Sequence, residues 1–166
     1  MKKVAIVMGS ASDSPLAKEA VKTLSEFGVS YAARVLSAHR SPVQAAEFAA
    51  SASAEGYGVV IAIAGKAAHL AGVLASHTRL PVIGVPASSK DLGGLDALLS
   101  TAQMPKGVPV AAVAIDGAAN AALLAVRILA LGDDGLNERL ESHARALAEK
   151  TSEADAALQK ELQKEL

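Results

Sequence analysis

The chain has 166 residues, of which 51% are hydrophobic and only 2% aromatic, and it contains no cysteine. The lack of cysteine excludes disulfides, thiolate catalysis and Cys-ligated metals. The formal net charge is −1, from 16 basic and 17 acidic side chains, which gives no reason to expect a nucleic acid or a membrane as partner. The length suits one domain with an aliphatic core. We expect a cytoplasmic protein, because no signal peptide and no bilayer-spanning apolar run are visible.

Strands and helices are predicted to alternate along the chain. The apolar runs predict five strands, at residues 3–8, 31–36, 58–64, 81–85 and about 108–115. Helical spacing and capping signals predict helices that follow them, from the residues after Asp13 to about 27, at 42–55, from the 65–72 segment onward, at 94–102 and at 117–131. This order predicts a three-layer, doubly wound parallel sheet of the flavodoxin-like or Rossmann-like kind, with helices on both faces.

The composition changes after Gly132, where a charged amphipathic helix is predicted. Its apolar side chains fall near one face: Leu136, Leu140, Leu147, Ala154, Leu158 and Leu162. A terminal helix with little left to cover in its own domain more often packs on another subunit. We therefore divide the chain into an α/β domain, 1–132, and a helical extension, 133–166, that is expected to pack on neighbouring subunits. The last eight or so residues are expected to be a solvated tail.

The loop after the first strand reads Gly9-Ser10-Ala11-Ser12-Asp13. Glycine permits a close turn, the helix start offers free N–H groups, and Ser10 and Ser12 add hydroxyl donors, a combination suited to a phosphate. Asp13 could accept from ribose hydroxyls or a base amine. The alternative is that Ser12 or Asp13 only caps the first helix. No Walker A and no G-x-G-x-x-G pattern is present, so a nucleoside triphosphate or a dinucleotide is not indicated.

The loop after the second strand, Ser37-Ala38-His39-Arg40-Ser41-Pro42, holds the strongest candidates for chemistry. Ser41 is a good N-cap, and Pro42 suits the first position of the next helix. In an open α/β sheet such a loop faces the ligand crevice. Histidine titrates near neutrality, so His39 is a candidate general acid–base, and Arg40 could clamp a phosphate. The alternative is an ordinary polar loop with a solvated charge.

The third strand leads into Gly65-Lys66-Ala67-Ala68-His69-Leu70-Ala71-Gly72, which places His69 near a helix start. Two histidines on neighbouring loops could suggest a metal. However, these loops offer no third histidine and no Asp or Glu, so we predict no metal. His77 and His143 are interpreted as surface or helix-packing residues.

Two other protein classes with this architecture do not fit. A response-regulator receiver needs an acidic cluster after the first strand and an aspartate after the third, where this chain has Met-Gly-Ser and Ala-Gly-Lys. A flavodoxin needs aromatic side chains around its flavin, and the four aromatic residues here are predicted far from the carboxyl ends of the strands. A small phosphorylated ligand and acid–base chemistry remain.

Six segments together resemble the PurE family of purine biosynthesis, in its class I form, the N5-carboxyaminoimidazole ribonucleotide mutases. They lie in order between residue 3 and about residue 131: Met8-Gly-Ser-Ala-Ser-Asp13, Ser37-Ala-His-Arg-Ser-Pro42, Ala67-Ala-His-Leu70, Pro81-Val-Ile-Gly-Val-Pro86, Gln103-Met-Pro-Lys-Gly-Val-Pro109 and Asn120-Ala-Ala-Leu-Leu124. The resemblance implies that a carboxylate moves from the exocyclic nitrogen of the substrate to its ring carbon, without metal, ATP or organic cofactor. It also implies a homo-octamer with active sites at subunit contacts, supplied by the ATP-dependent synthetase that makes the substrate.

The resemblance implies roles for residues of all three loops. His39 would be the acid–base group that passes a proton while CO2 is released and recaptured. The other residues of these loops that would bind the ribonucleotide are Ser10, Ser12, Asp13, Ser37, Arg40, Gly65, Lys66, Ala67, His69 and Leu70.

The chain departs from the class I pattern at Lys66 and Ala71, because that pattern reads Gly-Gly-Ala-Ala-His-Leu-Pro-Gly. A basic residue at the Lys66 position resembles the class II enzymes, which carboxylate aminoimidazole ribonucleotide directly with CO2. Arg40, His69 and the Gln103 turn favour class I, so we expect Lys66 to point to solvent. Direct carboxylation and a non-catalytic ribonucleotide-binding module remain the alternatives.

Overall fold

The computed structural model describes residues 2–163, and a five-stranded parallel sheet organises them. The sheet order is β2-β1-β3-β4-β5. The strands are β1 (Lys3–Met8), β2 (Tyr31–Val35), β3 (Tyr57–Gly65), β4 (Val82–Ala87) and β5 (Ala111–Ala112). The strand order reverses direction between β1 and β3, and in such sheets the ligand crevice opens at the carboxyl ends of the strands at this switch point.

Helices cover both faces of the sheet, as the alternating pattern predicts. They are α1 (Ser14–Glu26), preceded by a short 3₁₀ turn at Ala11–Asp13, α2 (Pro42–Ser51), α3 (Leu70–His77), α4 (Leu95–Ala102), α5 (Ala118–Ala130) and α6 (Asp134–Leu162). The predicted doubly wound, flavodoxin-like fold with a C-terminal helix is confirmed.

The central strand β3 is apolar along its whole length because both of its faces are covered. Val59, Ile61 and Ile63 pack into the cluster formed with α1 and α5. Val60 and Ala62, between them, pack into the opposite cluster with α2 and α3. Alternate side chains of a strand point to opposite faces, so a continuous hydrophobic run is what a doubly covered parallel strand requires.

Three predicted boundaries differ from the structure. The strand expected over 108–115 pairs regularly only at Ala111–Ala112; Val113 and Asp116 still donate to β4 carbonyls, but Pro109 has no N–H, and Asp116 has a left-handed φ of 58°. The second helix ends at Ser51 because the chain turns toward Gly56, whose φ is 86°. The third helix begins only at Leu70, since β3 continues to Gly65 and residues 66–69 form a turn.

The C-terminal helix α6 is anchored at its beginning and exposed along the rest. Asp133 caps it, its Oδ1 accepting from the Leu136 N–H at 3.0 Å, and Leu136 is fully buried in the cluster with α1 and α5. The ring of His143 packs on Phe27, with centroids 5.3 Å apart, as a helix-packing histidine does. Leu147, Leu158 and Leu162 are about half exposed.

The expected solvated tail is helical and exposed up to Leu162, and residues 164–166 lie outside the described part of the chain. Among residues 2–163, no helix has both the length and the apolar character needed to cross a bilayer.

Candidate active site

A cleft of about 420 Å³ opens at the switch point, bounded by the loops that follow β1, β2, β3 and β4. The structure brings the predicted site residues of all three singled-out loops together here. The members that line the cleft are Ser10, Ser12, Asp13, Ser37, His39, Arg40, Gly65, Lys66, Ala67 and Leu70. His69 does not line this cleft but stands directly against His39.

In the β1 loop the two serines are hydrogen-bonded to each other, and the aspartate side chain does not cap the following helix. Ser10 Oγ accepts from the hydroxyl of Ser12 at 2.9 Å and from its N–H at 3.3 Å. Ser10 therefore caps the short 3₁₀ turn, a cap that the alternative of Ser12 or Asp13 capping the first helix did not include. Asp13 occupies the N-cap position of α1, but its side chain makes no capping hydrogen bond.

Burial raises the pKa of Asp13, although hydrogen bonds from Ser10 and Ser12 and the positive charge of Arg40 act in the opposite direction. A carboxylate has about four acceptor sites, so Asp13 can also accept hydrogen bonds from hydroxyl or amine groups of a ligand.

The β2 loop is tied into a closed turn by its two serines. The Ser37 N–H donates to Ser41 Oγ at 2.9 Å, and the Arg40 N–H donates to Ser37 Oγ at 3.2 Å. Ser41 occupies the N-cap position and Pro42 begins α2, as predicted. However, the Ser41 hydroxyl donates back to the Ser37 carbonyl instead of capping the helix. This turn fixes the backbone on which His39 and Arg40 are carried.

The guanidinium of Arg40 joins the β1 and β2 loops. Its Nη2 donates to the Gly9 carbonyl at 2.8 Å, and its Nε approaches Ser37 Oγ at 3.4 Å. These contacts hold the positive charge beside the serine-rich β1 loop, where an anion would meet both hydroxyl donors and a fixed cation.

The two histidines form a direct contact. His39 Nε2 and His69 Nδ1 are 2.9 Å apart, and the rings meet edge to face with centroids 5.0 Å apart. Within residues 2–163, no group of three His, Asp or Glu side chains is arranged to hold a metal ion.

Lys66 lies at the rim of the cleft, and its ammonium is turned toward Asp91. The two groups are 2.6 Å apart, and the Lys66 side chain is 69% exposed. The Asp91 carboxylate raises the pKa of Lys66 by hydrogen bonding and by its charge. Lys66 also has a left-handed φ of 55°, a backbone conformation that favours glycine.

The β4 loop supplies site residues that the sequence reasoning did not select. Ala87, Ser88 and Ser89 line the cleft, and Asp116 Oδ1 accepts from the Ser88 N–H at 2.8 Å and so holds this loop in place. Ser89 Oγ is buried with no hydrogen-bond partner among the described residues. The sequence could have indicated this loop, because the carboxyl end of a fourth parallel strand must lie at the same edge of the sheet as those of the other three.

The fold and the site together define an α/β protein whose cleft gathers histidine, arginine, aspartate and serine side chains at the carboxyl ends of a parallel sheet. The family model described as AIR carboxylase matches residues 3–150. The chain therefore belongs to the AIR carboxylase family, and its predicted resemblance to class I PurE is confirmed.

Similar proteins cover most of the chain. An N5-carboxyaminoimidazole ribonucleotide mutase of Pyrococcus horikoshii is 54% identical over 150 residues, which are 90% of this chain and 85% of that protein. A protein of the same name from Brucella melitensis is 51% identical over 152 residues, covering 90% of this chain and 94% of its own. The crystal structure of Treponema denticola PurE superposes with a TM-score of 0.86 at 33% identity, covering 93% of this chain and 97% of that one.

Proposed function

We propose that this protein is an N5-carboxyaminoimidazole ribonucleotide mutase of purine biosynthesis, an isomerase whose product is 4-carboxy-5-aminoimidazole ribonucleotide. The observation that carries the proposal is the cleft in which a histidine, a fixed guanidinium and a serine-rich loop converge at the switch point. The relatives from Pyrococcus horikoshii and Brucella melitensis, 54% and 51% identical to the chain, bear this name. A cleft of about 420 Å³ lies within the usual range for small-ligand sites.

The ribonucleotide would be bound mainly by the β1 and β2 loops. Ser10, Ser12 and Ser37 would donate to the phosphate, beside the charge of Arg40. Asp13 would accept from the ribose hydroxyls. The β3 loop would meet the imidazole and its carboxylate through backbone groups of Gly65 and Ala67 and the side chain of Leu70.

His39 would serve both chemical steps. As an acid it gives a proton to the exocyclic nitrogen, the bond from that nitrogen to the carboxyl carbon breaks, and CO2 is released in the cleft. The ring carbon then forms a bond to the same CO2 and returns a proton to His39. One positioned histidine balances the protons of the cycle, and confinement of CO2 makes the second step effectively intramolecular.

The position of the Lys66 side chain favours transfer of the carboxyl group within the substrate over direct carboxylation by CO2. An ammonium that holds CO2 or bicarbonate would have to face the bound imidazole. Lys66 instead reaches outward to Asp91, and both side chains are largely exposed. This arrangement agrees with the expectation that the lysine points away from the reacting groups.

The remaining parts of the proposal concern the cellular setting. The enzyme would be cytoplasmic, would need no cofactor, and would receive its substrate from an ATP-dependent synthetase. It would work as a homo-octamer in which α6 contacts neighbouring subunits. The half-exposed leucines of α6 support this, because they lack burial in their own subunit.

The proposal is tested by mixing the purified chain with N5-carboxyaminoimidazole ribonucleotide in the presence of EDTA and following the absorbance of the product imidazole. We expect turnover that EDTA does not reduce. Calorimetric titration of the product ribonucleotide shows in parallel whether the cleft binds. Binding without turnover would overturn the proposal in favour of a non-catalytic ribonucleotide-binding module.

A further inference from the structure

The contact between His39 and His69 restricts which of their ring nitrogens can carry protons. The 2.9 Å separation of Nε2 and Nδ1 is a hydrogen bond, and such a bond between two imidazoles needs one proton between the two nitrogens. If both rings carried a proton at these positions, the contact would become repulsive. The bond therefore couples the tautomers of the two histidines.

The proposed acid step decides which ring donates. As an imidazolium, His39 carries protons on both ring nitrogens, so its Nε2 can only donate. His69 must then accept through Nδ1, with its own proton on Nε2. His39 then carries a proton on Nε2, and Nδ1 is its remaining nitrogen, with no partner among residues 2–163.

Backbone hydrogen bonds fix the position from which the ring of His69 extends. His69 lines a second cavity of about 380 Å³, which Ser100, Gln103 and Met104 also line. Its backbone N–H donates to the Ala67 carbonyl at 2.8 Å, and its backbone carbonyl accepts from the Val73 N–H at 3.0 Å. The turn therefore presents the ring of His69 to His39, which is carried on an exposed loop, from a defined backbone position.

We propose that His69 is a positioning residue: it accepts the Nε2 proton of His39 and so assigns Nδ1 of His39 as the nitrogen that exchanges protons with the substrate. This inference rests on the proposed function. In the first step Nδ1 of the His39 imidazolium gives its proton to the exocyclic nitrogen, and in the second Nδ1 takes the proton lost by the ring carbon. The Nε2 proton stays in the bond to His69 throughout, so His39 changes between imidazolium and one neutral tautomer only.

The positioning role can be distinguished from the direct substrate binding that the family resemblance implies for His69. A substrate-binding residue affects mainly KM when it is removed, whereas a residue that orients the acid–base group affects mainly kcat. Misplacement of a reacting group by about 1 Å costs on the order of 10²-fold in rate.

The test compares His69→Asn with His69→Leu, two side chains of nearly the same shape. Only asparagine offers an oxygen near the position of Nδ1 that can accept from His39 Nε2. We expect His69→Leu to lose about 10²-fold in kcat and His69→Asn to lose about tenfold or less, both with KM within about threefold. His69 is exposed, so both variants should fold, and melting curves check this.

A second readout does not depend on activity. In ¹⁵N-histidine NMR spectra, neutral His39, assigned by the loss of its signals in His39→Asn, should be the Nε2–H tautomer in the parent and in His69→Asn. His69→Leu should lose this preference. Equal kcat in the asparagine and leucine variants, a mainly raised KM, or an Nδ1–H tautomer in the parent would each overturn the inference.

The two proposals fail differently. If the parent does not convert N5-carboxyaminoimidazole ribonucleotide, the proposed function fails, and the catalytic role of His69 fails with it whatever the NMR spectra show. If the parent turns over but the variants do not separate, only the role of His69 fails.

Discussion

The same substitution should have different effects on stability at the two ends of α6, because Leu136 is fully buried and Leu158 is 50% exposed. Leu136→Ala should cost about 2–5 kcal/mol, the usual range for a buried leucine. For a chain of this length 1 kcal/mol corresponds to roughly 2–4 °C in Tm, so the Tm should fall by roughly 4–20 °C at every protein concentration. Leu158→Ala should cost the isolated subunit little.

If the exposed part of α6 packs on a neighbour, Leu158→Ala should reveal it in the assembly. We expect a lower mass by light scattering, or a Tm that rises with protein concentration, as linkage between folding and association requires. Leu136→Ala is the matched control for a change confined to one subunit. An unchanged mass and Tm in Leu158→Ala would contradict the assembly role, and a Tm loss of less than about 2 °C in Leu136→Ala would contradict its burial in the core.

Three further predictions concern the cleft. His39→Asn should fold normally and lose about 10²–10⁴-fold in turnover, while His77→Asn, at an exposed histidine outside the cleft, should be unchanged; more than a tenth of the parent rate in His39→Asn would contradict the acid–base role. Arg40→Lys should raise KM more than it lowers kcat, since the forked contacts to Gly9 and Ser37 are lost, and a ligand without the 5′-phosphate should bind parent and variant alike in calorimetry. Burial raises the pKa of Asp13, so its contribution to stability is present below the unfolded-state pKa and is lost as the pH rises through the folded one. The Tm of Asp13→Asn relative to the parent should therefore increase between about pH 4 and pH 7, and a constant difference would contradict the assigned shift.

The sheet and the three site loops could be predicted because local rules and global packing agree. The apolar run of β3 is long enough to identify a doubly covered strand, and Ser41-Pro42 marks the start of α2 in sequence and structure alike. Boundaries that depend on backbone conformation could not be read this way. The sequence of this apolar segment gives no sign of the left-handed φ of Asp116 or of the short pairing of β5.

The contacts within the site needed the structure. The sequence places His39 and His69 on neighbouring loops, but only side-chain geometry shows that Nε2 of one meets Nδ1 of the other. The Lys66–Asp91 pair joins loops that are 25 positions apart, after different strands, and no local rule connects them. The β4 loop was missed for a different reason: Ser88 and Ser89 are ordinary loop residues, and only the topology of the sheet brings them to the cleft.

The origin of the transferred carboxyl group tests the central claim most directly. Substrate labelled with ¹³C in its carbamate is converted by the parent and by Lys66→Gly in excess unlabelled bicarbonate, and the product is analysed by mass spectrometry. We predict that both proteins retain the label in the product, and that the rate of Lys66→Gly stays within about tenfold of the parent. Aminoimidazole ribonucleotide with bicarbonate, without ATP, should give only slow turnover. Dilution of the label to the level of the medium, or fast carboxylation of that mixture that Lys66→Gly abolishes, would contradict the mutase and identify a carboxylase.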